Sequence, residues 1–231
     1  MLGFLGLLGT YDRTGRMMVP RGVYAPQEDT LLLREALARE TVHAGTTVLD
    51  VGTGSGFLAL AAARRGARVT AVDRTRRAVL ATRLNAALAG VRAEAVRGDL
   101  LAPAAGRRFD LILSNPPYVP APDPALPRRG SSRAWDAGNN GRLVIDRLCA
   151  GAAGVLRPGG ALLLVHSALC GVTETLDRLG QAGLPAEVTD RRSVPFGPVL
   201  AERRQWLLDR GLVGPGDDKE ELVIIRAERS E

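Results

Sequence analysis

TTVLDVGTGSG, residues 46–56, joins a short apolar run to a loop with a glycine at every second position. The run 46–51 predicts a buried strand, because it is rich in β-branched residues and is stopped by glycines. A glycine loop after such a strand lets the backbone pass close to a ligand. Residues 46–56 therefore predict a ligand-binding turn near the start of an α/β domain.

Strands and helices alternate on both sides of this turn. Further strands are expected at 68–72, 93–96, 109–113 and 161–166, and helices at 26–37, 57–65, 75–89, 140–156 and 172–182. This alternation indicates a doubly wound, mostly parallel sheet with helices on both faces. Strands at 186–194 and 221–226 complete a seven-stranded sheet and are expected to pair antiparallel at one edge. A turn at 157–160 and a late helix at 199–210 complete the prediction.

The ends of the chain and its composition suit one domain of 231 residues. Residues 1–22 are expected to be a poorly ordered extension, with a true start at Met17 or Met18, and 23–231 the domain itself. The apolar run at 1–8 has no preceding basic region and is too short to span a bilayer, so we expect a cytoplasmic protein that makes no membrane contact. Cys149 and Cys170 lie in no metal-binding spacing, so we expect neither a disulfide nor a metal site.

The net charge of +6 raises the question of nucleic-acid binding. Lys219 is the only lysine, and the arginines are scattered in short pairs along the chain. This pattern favours solvated faces over a patch that follows phosphates. An acidic partner that contains RNA, such as a ribosome, stays compatible with it.

Polar residues stand at four successive strand ends: Asp50, Asp73, Asp99 and Asn115. Ligands of open parallel sheets bind beyond the carboxyl ends of the strands. Phe57 occupies the position where a nicotinamide-binding GxGxxG loop needs its last glycine. A carboxylate at Asp50 would repel a pyrophosphate but suits a ligand with an α-ammonium group. These two details favour S-adenosylmethionine as the cofactor.

Each acidic residue has a role in that interpretation. Asp73 can accept hydrogen bonds from both ribose hydroxyls, as it could in an NAD enzyme. Asp99 can accept from the adenine amino group, and the Leu100 backbone N–H can reach a ring nitrogen. A single aspartate could equally be a helix cap, but three at successive strand ends are harder to explain in that way. Gly52, Gly54 and Gly56 complete the predicted cofactor loop.

NPPY, residues 115–118, follows the predicted strand 109–113 directly. An amide or aromatic amine nitrogen is a poor nucleophile because its lone pair is delocalised. The Asn115 side-chain oxygen and the Pro116 carbonyl can each accept one N–H hydrogen, and the prolines fix the backbone there. Tyr118 can offer a flat face to the planar group. These residues predict a methyltransferase that acts on a planar nitrogen, with Asn115, Pro116 and Tyr118 as the catalytic set.

The motifs together resemble class I methyltransferases of the N-(D/N)-P-P-Y type, and among them the HemK group. VYAPQEDT at 23–30 and AWDAGNNGR at 134–142 are similar to two segments of its HemK2/Mtq2 branch. The resemblance covers residues 23–165 well and the last third only in architecture. It implies cofactor contacts from Thr30, Asp50, Gly52, Asp73, Asp99, Leu100 and Asn115. It also implies that Asn115 contacts the substrate.

The resemblance implies methylation of the glutamine in the GGQ motif of a peptide-chain release factor. No segment resembles the N-terminal helical domain of the bacterial enzymes, and loop 119–133, rich in proline and arginine, is expected to frame the substrate entrance. Eukaryotic and archaeal members of the branch work with a small zinc-binding activator, Trm112, for which an exposed apolar strip on the sheet edge would be evidence. The alternatives are a protein lysine, a small molecule or the N6 nitrogen of adenine. We do not expect nucleic acid as the direct substrate, because the chain has no room for a target-recognition region.

Overall fold

The computed structural model describes residues 8–10 and 16–231. The strands are β1 (Leu8–Thr10), β2 (Arg16–Met18), β3 (Thr47–Val51), β4 (Arg68–Asp73), β5 (Ala93–Arg97), β6 (Phe109–Ser114), β7 (Leu156–Ser167), β8 (Ala186–Pro195) and β9 (Lys219–Glu228). The helices are α1 (Glu28–Arg39), α2 (Phe57–Arg64), α3 (Arg76–Leu88), α4 (Leu143–Ala152), α5 (Val172–Gln181), α6 (Pro198–Glu202) and α7 (Arg204–Asp209).

Seven strands form one sheet in the order β5-β4-β3-β6-β7-β9-β8. The first five are parallel, and β9 runs antiparallel to both of its neighbours. Helices α1, α2 and α3 pack side by side, and α4 packs on α5. The predicted doubly wound sheet with an antiparallel pair at one edge is therefore confirmed.

The central strands β3 and β6 form the buried apolar centre of the sheet. Val48, Leu49, Ile112 and Leu113 are fully buried, as expected for strands that are covered on both faces and therefore read as continuous apolar runs. Their carboxyl ends lie side by side, with Val51 opposite Ser114. The sheet thus brings the glycine loop and the NPPY segment to one edge.

Two predicted elements differ in the structure. The turn expected at 157–160 is an irregularity inside β7, where the pairing with β6 jumps between Phe109 and Leu111. Gly159 has φ 70° and donates its N–H to the Arg229 carbonyl at 2.7 Å, so the chain continues through the bulge without reversing. The helix expected at 199–210 is divided into α6 and α7 at Arg203, whose φ and ψ are −89° and 3°.

The described part of the predicted N-terminal extension is attached to the domain. Strands β1 and β2 pair antiparallel, and the Met18 backbone exchanges two hydrogen bonds with the side chain of Asn85 on α3. Residues 1–7 and 11–15 lie outside the described residues, and the prediction of a poorly ordered segment stays a prediction. Within the described ranges, the protein has no helix that is long and apolar enough to cross a membrane.

Helix α3 covers β4 and the edge strand β5 with only part of its apolar surface. Among the apolar residues of this helix, Ala78 is buried, whereas Leu80, Leu84 and Leu88 are 62%, 43% and 64% exposed. These three leucines are spaced four residues apart, so they lie along one side of the helix. They form an exposed apolar strip beside the open edge of the sheet, which we call the α3 leucine strip.

Candidate active site

A cavity of about 480 Å³ lies at the carboxyl edge of the parallel strands. This volume falls in the range of small-molecule sites. The predicted residues that line it are Thr30, Gly52, Gly54, Asp73, Asp99, Leu100, Asn115, Pro116 and Tyr118. The structure therefore brings most of the predicted cofactor and acceptor residues to one cavity. The exceptions are Asp50 and Gly56.

Asp50 lies beneath the glycine loop rather than on the cavity wall. Its Oδ2 atom accepts hydrogen bonds from the Thr53 hydroxyl at 2.6 Å and the Ala59 N–H at 3.1 Å. Its Oδ1 atom is buried without a partner among the described residues, and burial raises the pKa of Asp50 to about 6. In this structure the carboxylate joins the loop to the first turn of α2. The predicted contact with a ligand ammonium group stays a prediction.

Gly56 is required for packing. A Cβ atom there would lie 2.9 Å from the Thr82 Cγ2 atom, and the φ of 87° belongs to the left-handed region that favours glycine. The missing side chain lets the beginning of α2 approach α3. Gly56 therefore has a packing role and does not line the cavity.

Asp73, at the end of β4, is held by two backbone donors. Its Oδ1 atom accepts from the Thr75 N–H at 2.8 Å and its Oδ2 atom from the Gly54 N–H at 3.1 Å. Burial raises the pKa of this carboxyl group above its ordinary value. A fixed carboxylate with remaining lone pairs can accept hydrogen bonds from a diol in the cavity.

Asp99 and Leu100 lie at the end of the next strand. Leu100 has φ 48° and is the only non-glycine residue with positive φ among the described residues. Such strained conformations cluster at ligand-binding positions. Asp99 forms an ion pair with Arg147 of α4 at 2.5 Å, and both side chains line the cavity. Sequence reasoning missed Arg147, whose partner becomes evident only when α4 is placed over this strand end.

The Asn115 amide is oriented by α1. Its Nδ2 atom donates to the Thr30 hydroxyl at 3.0 Å, which directs the opposite side-chain atom, the oxygen, away from Thr30. Thr30 is itself fixed, because its N–H and hydroxyl both bond to Asp29 Oδ1. The site can therefore present one amide oxygen as an acceptor in a constant position.

Asp29 is buried and joins Tyr24 to Tyr118 of the NPPY segment. Its Oδ2 atom accepts from the Tyr24 hydroxyl at 2.8 Å and from the Tyr118 hydroxyl at 2.9 Å. Burial, with the nearby charge of Asp29 second, raises the pKa of Tyr118 well above its ordinary value. Tyr118 thus stays neutral and its hydroxyl is committed to Asp29, so the ring can offer mainly its face.

Loop 119–135 and α6 border the other side of the cavity. Leu126, Arg133 and Trp135 come from the loop, and residues 197–200 come from α6 and the turn before it. Arg203 connects the two segments, because its guanidinium bonds to Asp136 at 2.7 Å and to the Pro120 carbonyl at 2.9 Å. The loop expected to frame an entrance does contribute to the cavity wall.

Comparison with known proteins places this site in a family. Residues 18–124 match the family described as Methyltransferase small domain. A putative protein N5-glutamine methyltransferase of Methanocaldococcus jannaschii is 34% identical over 179 residues, which cover 77% of this chain and 89% of that protein. The chain belongs to the HemK-type protein glutamine methyltransferase family. Both its domain and its fold are therefore those of a methyltransferase.

Two other members of the family show how far the similarity extends. The release factor glutamine methyltransferase of Deinococcus radiodurans is 44% identical over 155 residues, which cover 64% of this chain and 54% of that protein. The chain thus spans about half the length of this bacterial relative. The solved structure of the E. cuniculi Mtq2–Trm112 complex, which methylates the termination factor eRF1, has a TM-score of 0.64 and 28% identity. That match covers 90% of this chain and 99% of the other.

Sequence reasoning missed two carboxylates that line the cavity, Asp29 and Glu220. Both belong to elements other than the parallel strand ends: Asp29 to the first turn of α1, and Glu220 to the beginning of β9. Glu220 lines the cavity, and burial raises its pKa to about 7. The predicted antiparallel direction of the last strand was the available signal, because it places that strand's beginning at the carboxyl edge.

Other polar residues are structural. His166 is buried, its Nδ1 atom lies 2.8 Å from the Ser167 carbonyl oxygen, and burial lowers its pKa to about 4, so the ring is neutral at physiological pH. It is not among the residues that line the cavity. Within the described part of the chain, no cluster of three or more potential metal ligands is found.

Proposed function

We propose that this protein transfers a methyl group from S-adenosylmethionine to the side-chain amide nitrogen of a glutamine in a peptide-chain release factor. One observation carries the proposal. The bond from Asn115 Nδ2 to Thr30 leaves the Asn115 oxygen as an acceptor for an amide N–H, in the same cavity as Asp73. The names of the relatives support glutamine and a release factor as the target.

The residues of the cavity fit this cofactor. Asp73 offers a fixed carboxylate for the ribose hydroxyls, and Leu100 contributes a strained backbone position for the adenine ring. Gly52 and Gly54 line the cavity with backbone alone, so a ligand can approach closely. Asp50 supports this loop from below through Thr53 and Ala59, and Gly56 allows α2 to approach α3. Bound S-adenosylmethionine would supply an electrophilic methyl group that needs no further activation.

The acceptor residues would overcome the low nucleophilicity of an amide by position. The Asn115 oxygen and the Pro116 carbonyl accept the two N–H hydrogens, and the Tyr118 ring supports the planar group. Holding two reactants in contact accounts for much of the rate of such a transfer. Tyr118 is not a base, because its hydroxyl donates to Asp29. As the new N–C bond forms, the bond between sulfur and the methyl group would break and S-adenosylhomocysteine would leave, and the amide nitrogen would give up one proton to water.

We also propose that a small activator protein of the Trm112 type binds over the α3 leucine strip and the edge strand β5. A strip of exposed leucines along one side of a helix is typical of a surface that binds another protein. An edge strand presents unpaired backbone groups to such a partner. The E. cuniculi structure supports this choice of partner, since that methyltransferase is solved in complex with Trm112.

Gel filtration with a purified Trm112-type protein tests this partner. The wild-type chain should elute as a 1:1 complex and gain activity, and the triple variant Leu80→Glu, Leu84→Glu, Leu88→Glu should do neither. Leu143→Glu is the matched control, since Leu143 is 37% exposed on α4. Full activity of the chain alone, or a homodimer that buries the strip, would contradict the assignment.

Mass spectrometry of acceptor proteins tests the main proposal. Purified release factors are incubated with the protein and methyl-labelled S-adenosylmethionine, and the peptide with the GGQ motif is sequenced. Label on the glutamine nitrogen is the expected result. Label on lysine, on DNA or on a small molecule would refute the substrate assignment. We expect the reaction to take place in the cytoplasm, where translation is terminated.

A further inference from the structure

Glu220 lies where the reversed strand β9 enters the cavity. The end of β7 pairs with the beginning of β9, with Ser167 opposite Leu222. Glu220, two residues earlier, therefore lies at the carboxyl edge of the parallel strands, and it lines the cavity. Residues 197–200 line the same cavity. The reversal of one strand thus adds a carboxylate to the edge where all the other site residues lie.

One oxygen of Glu220 is buried and unused. The Oε2 atom has no hydrogen-bond partner among the described residues, and the nearby Ser167 side chain only partly offsets the rise that burial causes in the pKa of Glu220. A buried acceptor without a hydrogen-bond partner lowers the stability of a folded protein, so such a group usually serves a purpose other than packing. A glutamine or an apolar side chain would fill the same space without a buried charge.

The surroundings of Glu220 contain acidic and neutral groups. Asp29 of α1 faces it, and its charge acts with burial to raise the pKa of Glu220. Tyr118 and Cys170 are close enough for the Glu220 charge to raise their own pKa values. Val194 of β8 is its partner across the sheet. Glu220 is partly buried as a residue and lines the cavity, so a rotation of its side chain would bring the carboxylate to a hydrogen-bond donor that enters there.

We propose that Glu220 is a substrate-binding residue, whose carboxylate accepts a hydrogen bond from an N–H group of the peptide that carries the target glutamine. This inference rests on the proposed function. It gives the acceptor peptide a second point of attachment on β9, besides Asn115 on the NPPY segment. Two attachment points on different elements would fix the direction in which the target side chain enters the cavity.

The variant Glu220→Gln keeps the shape of the side chain and removes its charge. A hydrogen bond to a charged group is worth roughly a 10-fold or larger change in binding. We therefore expect KM for the acceptor to rise at least about 10-fold, while kcat and the Kd of S-adenosylmethionine change less than about 2-fold. Glu221→Gln is the control, because Glu221 points to the opposite face and pairs with Arg191 at 2.5 Å.

The pH profile separates substrate binding from a structural effect. Burial raises the pKa of Glu220 to about 7, and the ionised carboxylate is the stronger acceptor for a substrate N–H, so kcat/KM for the acceptor should rise as pH increases through about 7 in the wild type. The Glu220→Gln variant should lack this step, and Glu221→Gln should keep it. Circular dichroism and S-adenosylmethionine binding verify that each variant is folded.

The outcomes separate the two proposals. Transfer to glutamine by the wild type and by Glu220→Gln with equal KM would overturn the role of Glu220 alone. The same follows if the variant loses cofactor affinity with no change in KM for the acceptor. Absence of any transfer to a release factor by the wild type would overturn the proposed function and the role of Glu220 with it.

Discussion

Replacing Asp50 with asparagine isolates the free-energy cost of the carboxylate beneath the glycine loop. Asp50 is fully buried and uses only one of its two oxygens, toward Thr53 and Ala59. An asparagine oxygen can accept both of these bonds, so the loop should keep its shape. The variant therefore removes a buried negative charge while leaving the local hydrogen bonds in place.

The magnitude follows from the pKa of Asp50. Burial raises it from 3.8 to about 6, and at 1.36 kcal/mol per pKa unit this difference corresponds to about 3 kcal/mol. Between these two values the folded state keeps a proton that the unfolded state has released. The free energy of unfolding of the wild type should thus fall by about 3 kcal/mol as pH rises through this window, and Asp50→Asn should lack this loss. At pH 7 a gain of that size corresponds to roughly 6–12 °C in Tm for a domain of this size. The unpaired amide hydrogens of the asparagine would offset part of it.

Urea unfolding at pH 4, 5, 6 and 7, followed by tryptophan fluorescence, measures the effect. The difference between variant and wild type should grow with pH up to about 6 and then stay constant. Asp110→Asn is the contrast, because hydrogen bonds from Thr47 and the Arg157 guanidinium lower the pKa of Asp110 despite its partial burial. Its loss should therefore destabilise the protein by an amount that develops below the ordinary pKa of 3.8 and is nearly constant from pH 5 to 7. A difference for Asp50→Asn that is independent of pH would refute the reasoning.

Three further substitutions test the cavity. Asn115→Ala should reduce methyl transfer at least about 100-fold in a single-turnover assay. It should cost only about 1 kcal/mol of stability in urea unfolding, because it removes one neutral hydrogen bond. Unchanged transfer would argue against an amide acceptor at this position. Asp73→Ala should raise the Kd of S-adenosylmethionine in calorimetry, and transfer should partly recover at high cofactor concentration, whereas a loss that persists at saturation would place Asp73 in the chemical step. Tyr118→Phe should cost about 1–2 kcal/mol of stability through one lost buried hydrogen bond, with less than a 10-fold loss of kcat because the ring face is kept, and a larger loss would assign a chemical role to the hydroxyl.

The parallel part of the fold and its ligand edge could be predicted from the sequence. Short apolar runs that end in Asp73, Asp99 and Asn115 place these residues at one edge, because parallel strands share a direction. The structure brings all three to one cavity. Burial beside such an edge is harder to predict. Asp50 satisfies the same pattern but lies under the loop, because it bonds to Thr53 and Ala59.

The residues that sequence reasoning missed come from elements whose placement depends on tertiary packing. Asp29 reaches the site because α1 packs on β7, β8 and β9 with its first turn beside the cavity, and Glu220 because β9 is reversed. Leu84 is apolar at helical spacing, which ordinarily indicates a core position, yet it is 43% exposed. Local patterns show that a side chain is apolar or acidic, but the neighbouring elements decide whether it faces the core, a ligand or a partner.

A structure of the protein with S-adenosylhomocysteine and a peptide containing the GGQ motif would test the central claim most directly. The account predicts that the glutamine amide nitrogen lies about 2.7–3.2 Å from the Asn115 side-chain oxygen, with the cofactor ribose at Asp73 in the same cavity. A glutamine bound outside this cavity, or a cofactor whose ribose lies away from Asp73, would contradict it.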